Sequence, residues 1–258
     1  MIEAIPSKNG KTYWVEQGDA LYKKRLRHGQ YQSKNWDFAQ TVLQGSRRCI
    51  DVGSNNAVNA IHYAERFAWV ECFEPTPLAQ TLWHNTVRDN GVTNVTLHTQ
   101  ALGEDTRDTF VILHERNGGH NHLSHYDKNP RTNIKNLGRR TTPCEQRTLD
   151  SYAFEDVDFV KIDVEGYELF VLQGAEQTLE NNRPLLQLEI VENQCRKFDY
   201  TPDDILDWLR ALDYACVSKK RGWIEGAWSK HRGDMDLFFV PCEWNTKLEP
   251  SKELFDFG

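Results

Sequence analysis

The chain has 258 residues, of which 39% are hydrophobic and 27% charged, and a net charge of −7 at pH 7. That length suffices for one α/β domain with a large core, and the acidic balance argues against nucleic-acid binding by charge alone. No apolar run approaches the ~20 residues of a membrane span, and the polar start MIEAIPSKNGK lacks the apolar centre of a signal peptide. A cytoplasmic chain with no membrane contact and no nucleic-acid partner is therefore expected. The cysteines, Cys49, Cys72, Cys144, Cys195, Cys216 and Cys242, contain no CxxC pair, so neither a disulfide framework nor a zinc–thiolate site is expected.

Residues 1–45 are polar and carry a basic cluster, Lys23, Lys24, Arg25, Arg27 and His28. The plain reading is a solvated helix face; the sharper one is a lid or substrate-binding arm. A helix over Asn35 to Leu43 would set Trp36, Ala39, Val42 and Leu43 against the main domain.

The stretch from Arg47 to Pro75 reads as strand, turn, helix and strand. Cys49, Ile50 and Val52 make a buried parallel strand that carries Asp51 and stops at Gly53. Ser54 and Asn55 form the turn, and Asn55 or Asn56 can cap a helix. Ala57, Ala60, Ile61, Ala64 and Phe67 recur at helical spacing. Trp69 to Phe73 is the second strand, ended by Glu74 and Pro75. A glycine turn lets a ligand approach the backbone, helix amides point at that ligand, and an acid at the second strand's tip can accept both hydroxyls of a ribose. Glu74 follows Asp51 at roughly the 20-residue interval expected for such an acid. The fingerprint GxGxxG is absent, which leaves little room for a pyrophosphate. A nucleoside without phosphate, such as S-adenosylmethionine, fits better.

A helix from Pro77 to Asn90 follows, then a third strand over Asn94 to Leu102. Thr109 to Leu113 and Cys144 to Leu149 are expected to pair. Between them, 114–140 is a long polar stretch with His114, His120, His122 and His125. It reads as a loop over the active site that contributes one histidine or arginine. Asp158 to Val164 and Pro184 to Ile190 are core strands ending near Asp163 and Glu189, separated by a helix with Leu169, Val171, Leu172, Ala175 and Leu179 inward. Thr201-Pro202-Asp203-Asp204 starts another helix. Ala215 to Ser218 and Asp236 to Val240 are the last strands, with Trp223-Ile224 as a short one between them. Asp51, Glu74, Asp163 and Glu189 all fall at strand ends, where open α/β sheets bind ligands.

DVGSN at Asp51, FEP at Phe73, the pair Leu149-Asp150 and KIDVEGYE at Lys161 together resemble the FkbM-type S-adenosylmethionine-dependent methyltransferases. The resemblance runs from about Cys49 to Val240. One departure is Ala57, where the family usually has glycine. The resemblance implies an α/β fold: a class I methyltransferase (Rossmann-like) doubly wound sheet with a C-terminal antiparallel strand pair. It does not reach residues 1–45, which read from their own pattern as an N-terminal helical extension, and it implies a methyltransferase domain over 46–258. It places Asp51, Gly53, Asn55, Glu74, Pro75, Gln100, Ala101 and Asp163 around the cofactor, with Gln100 and Ala101 beside the adenine. Asp163, Glu189 and His122 are the catalytic candidates. Asp163 and Glu189, with Glu192 or Asn193 nearby, also form a candidate magnesium site by analogy with metal-dependent O-methyltransferases.

The acceptor expected is a hydroxyl on a glycan, a nucleotide-sugar or a related small metabolite, since 114–140 and 219–234 are rich in Arg, Lys, His and Trp. Two rival readings are a non-catalytic binding module and a nucleotide-binding oxidoreductase. A methyl-transfer assay separates the first, and NAD binding the second.

Overall fold

The computed structural model describes residues 1–18, 20–29, 33–113, 121–123, 140–218, 222–224 and 236–244. The chain opens with a hairpin, β1 (Ile2–Pro6) and β2 (Thr12–Glu16), followed by α1 (Ala20–Arg27) and α2 (Ser33–Val42). The segment expected to be helical thus begins as sheet. Tyr13 and Val15 alternate with less buried neighbours along β2, and with Ile5 they bury against Leu26 and Val58, a period-two pattern at work. The hairpin is tied to the main domain: the Trp14 backbone N–H donates to Thr86 Oγ1 and the Thr12 N–H to Asn90 Oδ1, both at 3.0 Å. Helix α2 sends Phe38, Ala39 and Val42 into the core.

Next come β3 (Arg48–Val52), α3 (Val58–Tyr63), β4 (Trp69–Phe73), α4 (Pro77–Asp89) and β5 (Val95–His98). The single strand expected over Asn94 to Leu102 is in fact two. The β5 ladder ends with His98 opposite Phe73 and the Glu74 N–H on the His98 carbonyl; the Thr76 N–H, next on that side, turns back to Glu74 Oε1. Ala101–Leu102 is β6 and belongs to a second sheet with β7 (Arg107–Leu113), β8 (His122–Leu123) and β9 (Arg140–Arg147), in the order β6-β9-β7-β8. Strands β7 and β9 pair as expected, antiparallel with Thr109 opposite Cys144. Strand β9 begins earlier than the sequence suggested, and Leu149 lies instead in a 3-10 turn, Leu149–Tyr152.

The rest is β10 (Val157–Ile162), α5 (Glu168–Gln173), α6 (Glu176–Asn182), β11 (Leu185–Glu189), α7 (Glu192–Cys195), α8 (Pro202–Ala211), β12 (Tyr214–Ser218), β13 (Gly222–Ile224) and β14 (Asp236–Pro241). The one helix face read from Leu169 to Leu179 is split at Gly174. A Cβ there would lie 2.0 Å from the Gly103 carbonyl oxygen, so the bare glycine lets two segments touch. Helix α8 starts where Thr201 marks it: the Asp204 carboxylate accepts both the Thr201 N–H and its hydroxyl at 2.7 Å.

The main sheet runs β13-β12-β14-β11-β10-β3-β4-β5. Strands β3, β4, β5, β10 and β11 are parallel, and β14 enters antiparallel between β11 and β12. The central strands are apolar on both faces, as parallel strands under helices must be; Ile50, Val160, Leu186 and Leu188 are fully buried. Chain order reverses between β3 and β10, and that switch point places the site.

Candidate active site

The carboxyl ends of β3, β4, β10 and β11 open on one cavity of about 350 Å³. Gly53, Asn55, Glu74 and Pro75 form one side of its wall, and Gln100 and Ala101 stand on it too. His122, Asp163 and Glu189 also line it, so the fold gathers residues far apart in sequence.

Asp51 is not on that wall. It is fully buried in β3, beside Lys161 of β10 and Cys72 of β4. Neither carboxylate oxygen has a hydrogen-bond partner among the described residues, and Lys161 Nζ stands 3.9 Å away. Burial pushes the Asp51 carboxyl up to about 6, against the pull of Lys161 and with the help of Asp163. Asp51 thus acts from behind the cavity as a counter-charge to Lys161.

Gly53 has φ 81° and its neighbours explain why. A Cβ would sit 2.0 Å from the Asp163 carbonyl oxygen. The glycine is needed for β3 to meet the end of β10, a demand made by the fold itself before any ligand approaches. Asn55 and Ala57 are also left-handed, at φ 48° and 66°. Ala57, in place of the family's usual glycine, therefore holds a conformation that costs roughly 1–2 kcal/mol for an L-residue. Neither Asn55 nor Asn56 caps α3, whose N-cap position is Ala57. Instead Asn56 Nδ2 donates to the Trp14 carbonyl and Asn56 Oδ1 accepts the Tyr22 hydroxyl, each at 2.8 Å. The hairpin and α1 are thereby fastened to the turn.

Glu74 is buried, and its two oxygens are held separately. The Asn55 N–H reaches Oε2 at 3.1 Å and the Thr76 N–H reaches Oε1 at 2.8 Å. Burial raises its pKa, and those two backbone donors oppose the rise. Each oxygen keeps acceptor capacity for a second donor.

Across the cavity, Lys161 is buried and donates to Asp163 Oδ2 at 2.9 Å. Burial alone would lower the ammonium's pKa; Asp163 and Asp51 outweigh it and keep the lysine charged. The charge of Asp163, then burial, push Glu189 up to about 10. Asp163 and Glu189 thus oppose each other's ionisation, and the pair favours a shared proton over two charges. Oxygens of Asp163, Glu165 and Glu189 lie within 4.8 Å of one another. The third carboxylate is Glu165, on the left-handed turn after β10, and not Glu192, which pairs with Arg196 at 2.5 Å.

Glu168 is more than an acid at a helix start. Its Oε1 accepts the N–H groups of Val164 and Gly166 at 3.1 Å, and the Tyr200 hydroxyl donates to Oε2 at 3.3 Å. It braces the loop that carries Asp163 and Glu165, and burial raises it to about 7. His122 is buried on β8 opposite Ile112, its ring edge-on to Phe198. His114, His120 and His125 lie outside the described residues, as do nearly all of 114–140 and 219–234. Tyr22 and Arg25 of α1 line the cavity as well. The sequence offered only one hint of that, the basic cluster that includes Arg25.

A parallel sheet with β14 inserted antiparallel between β11 and β12, and acids at the switch point, define a class I methyltransferase fold. The model of the methyltransferase FkbM domain matches residues 51–216, more than half the chain, and the chain belongs to that family. No curated protein matches the sequence. Among solved structures, methyltransferase FkbM from Methylobacillus flagellatus KT is 16% identical with a TM-score of 0.49; the match covers 86% of this chain and 55% of that one. This chain thus spans about half the length of that structure. SMU.1697c from Streptococcus mutans, solved with SAH, is 13% identical with a TM-score of 0.45, covering 80% and 93%. An rRNA methylase from Streptococcus thermophilus is 15% identical with a TM-score of 0.43, covering 80% and 92%. No described helix is long and apolar enough to cross a membrane.

Proposed function

We propose that this chain transfers a methyl group from S-adenosylmethionine to a hydroxyl oxygen of a glycan, nucleotide-sugar or related small metabolite. The observation that carries the reading is Glu74, whose oxygens are fixed apart by two backbone N–H groups at the lip of the cavity. That is the acceptor pair a ribose diol requires. The cavity's chemistry fits the rest of the donor: a cationic sulfonium and ammonium suit a wall of carboxylates.

Bound S-adenosylmethionine supplies a methyl group already activated by its sulfonium. The protein's part is to hold the acceptor oxygen in line with it, about 3 Å away, and to take the acceptor's proton. Asp163 is the base in this reading. Lys161 fixes one of its oxygens and stabilises it as an anion, and that charge raises the Glu189 carboxyl beside it. Asp163 would take the acceptor's proton as the methyl carbon exchanges its bond to the donor sulfur for one to the acceptor oxygen, leaving the neutral thioether. His122 faces the same cavity and could relay that proton outward.

Asp163, Glu165 and Glu189 fit a divalent cation by their donor chemistry, and magnesium there would acidify an acceptor hydroxyl. Full activity in excess chelator would remove the metal from this reading. Family membership speaks against the oxidoreductase alternative, and the non-catalytic alternative is decided by assay. Incubation with methyl-labelled donor and a panel of glycans and nucleotide-sugars should place label on a sugar oxygen. Label on nitrogen, or on no acceptor hydroxyl, would contradict the proposal.

A further inference from the structure

The charged groups on the cavity wall are unevenly distributed. Glu74, Asp163, Glu165 and Glu189 are acids, and the buried Lys161 is engaged by Asp163 and Asp51. Arg25 is the other cation on the wall. It is exposed, and none of the hydrogen bonds or ion pairs among the described residues involves it. The cavity's acids lie on the same wall, and Arg25 engages none of them.

Its position is fixed from one side. Tyr22 lies three residues before Arg25, so both stand on one face of α1. The Tyr22 hydroxyl donates to Asn56 Oδ1 at 2.8 Å, and Asn56 is bound in turn to the Trp14 carbonyl. This pins the face of α1 that bears Arg25 over the turn from Gly53 to Asn56. The Glu74 carboxylate reaches the same turn through the Asn55 N–H. Arg25 therefore stands on the cavity wall at the side of that turn.

We infer that Arg25 binds the α-carboxylate of the methyl donor's amino-acid tail. The inference rests on the reading of the donor given above and deepens it. A zwitterionic tail needs an acid for its ammonium and a cation for its carboxylate. The cavity offers many of the first and, among the described residues, one uncommitted example of the second. Arginine's planar fork matches a carboxylate with two parallel hydrogen bonds. An anionic group on the acceptor would present the same chemistry, and the test separates the two sources.

The full chain is titrated calorimetrically with S-adenosylhomocysteine and with methylthioadenosine, which keeps the nucleoside and thioether but has no amino-acid tail. Arg25→Gln should weaken the first roughly 5- to 30-fold, a charged hydrogen bond discounted for exposure, and leave the second unchanged. Arg25→Lys should recover part of the loss. Equal affinity of Arg25→Gln and wild type for S-adenosylhomocysteine would overturn the inference, and a loss of activity with that affinity intact would move the guanidinium to the acceptor. Equal losses for both ligands would also overturn it, as a defect in the cavity itself. Wild type binding both ligands equally well would sink the role of Arg25 while sparing the donor reading. Wild type binding neither would sink the donor reading first.

Discussion

Asp163 sits where three influences meet: the Lys161 ammonium at 2.9 Å, the Glu189 carboxyl that its charge raises, and the open cavity. If it is the base, Asp163→Asn should lower kcat by about 10²- to 10⁴-fold and change S-adenosylhomocysteine affinity only a few-fold. Single-turnover and titration measurements on the same preparation check this; parallel losses in binding would make Asp163 a cofactor residue only. Gly53 carries a different burden. With φ at 81° and a Cβ position 2.0 Å from the Asp163 carbonyl oxygen, Gly53→Ala should cost at least about 2 kcal/mol, or roughly 4–8 °C in Tm. An unchanged melting curve would show that the two strand ends part easily. These residue-level roles were only half legible in sequence. Glu74 could be found because its spacing from Asp51 is set by one strand-helix-strand unit. The burial of Asp51 behind Lys161 could not, because it follows from β3 and β10 lying side by side although they are distant in sequence.

The elements around the site divide in the same way. Helix α2 was readable from its apolar spacing, and it does dock: Phe38 is buried with its ring 4.8 Å from that of Phe238 on β14. Phe38→Ala should therefore cost about 3–5 kcal/mol, visible as a lower urea midpoint with an unchanged slope. A cost under about 1 kcal/mol would mean that α2 is a loosely attached appendage. The hairpin before it was not readable, since IEAIP and TYWVE are short and their polar positions face other protein groups as well as water. Trp14 and Asn90 show this, for their bonds run across the hairpin–α4 boundary. Strand β6 escaped notice for a related reason. Ala101 and Leu102 lie just past the end of β5, and their partners Gln146 and Arg147 on β9 are distant in sequence. The break at Gly174 depends on contact with Gly103, again a partner invisible to local pattern.

At the scale of the molecule, the chain keeps several acids in places where ionisation is costly. Burial raises Asp51 to about 6 and Glu168 to about 7. Both values lie above those of an unfolded chain, so the folded state binds more protons between the two values. The stability they contribute is complete at pH values below the ordinary carboxyl range, and it is lost as pH rises through about 6 and about 7 respectively. Glu168→Gln keeps an acceptor for the Val164 and Gly166 N–H groups and removes the charge. Its melting temperature should fall less than that of wild type between about pH 5 and about pH 9. Parallel curves would show that Glu168 ionises without penalty.

The central claim is that the cavity at the sheet's switch point binds the methyl donor through Glu74. Calorimetric titration with S-adenosylhomocysteine, with NAD as control, tests it on wild type and Glu74→Ala. The account predicts micromolar binding to wild type, none of NAD, and a loss of roughly 10- to 150-fold in the variant. Equal affinity in the two proteins, or NAD bound in place of S-adenosylhomocysteine, would contradict it.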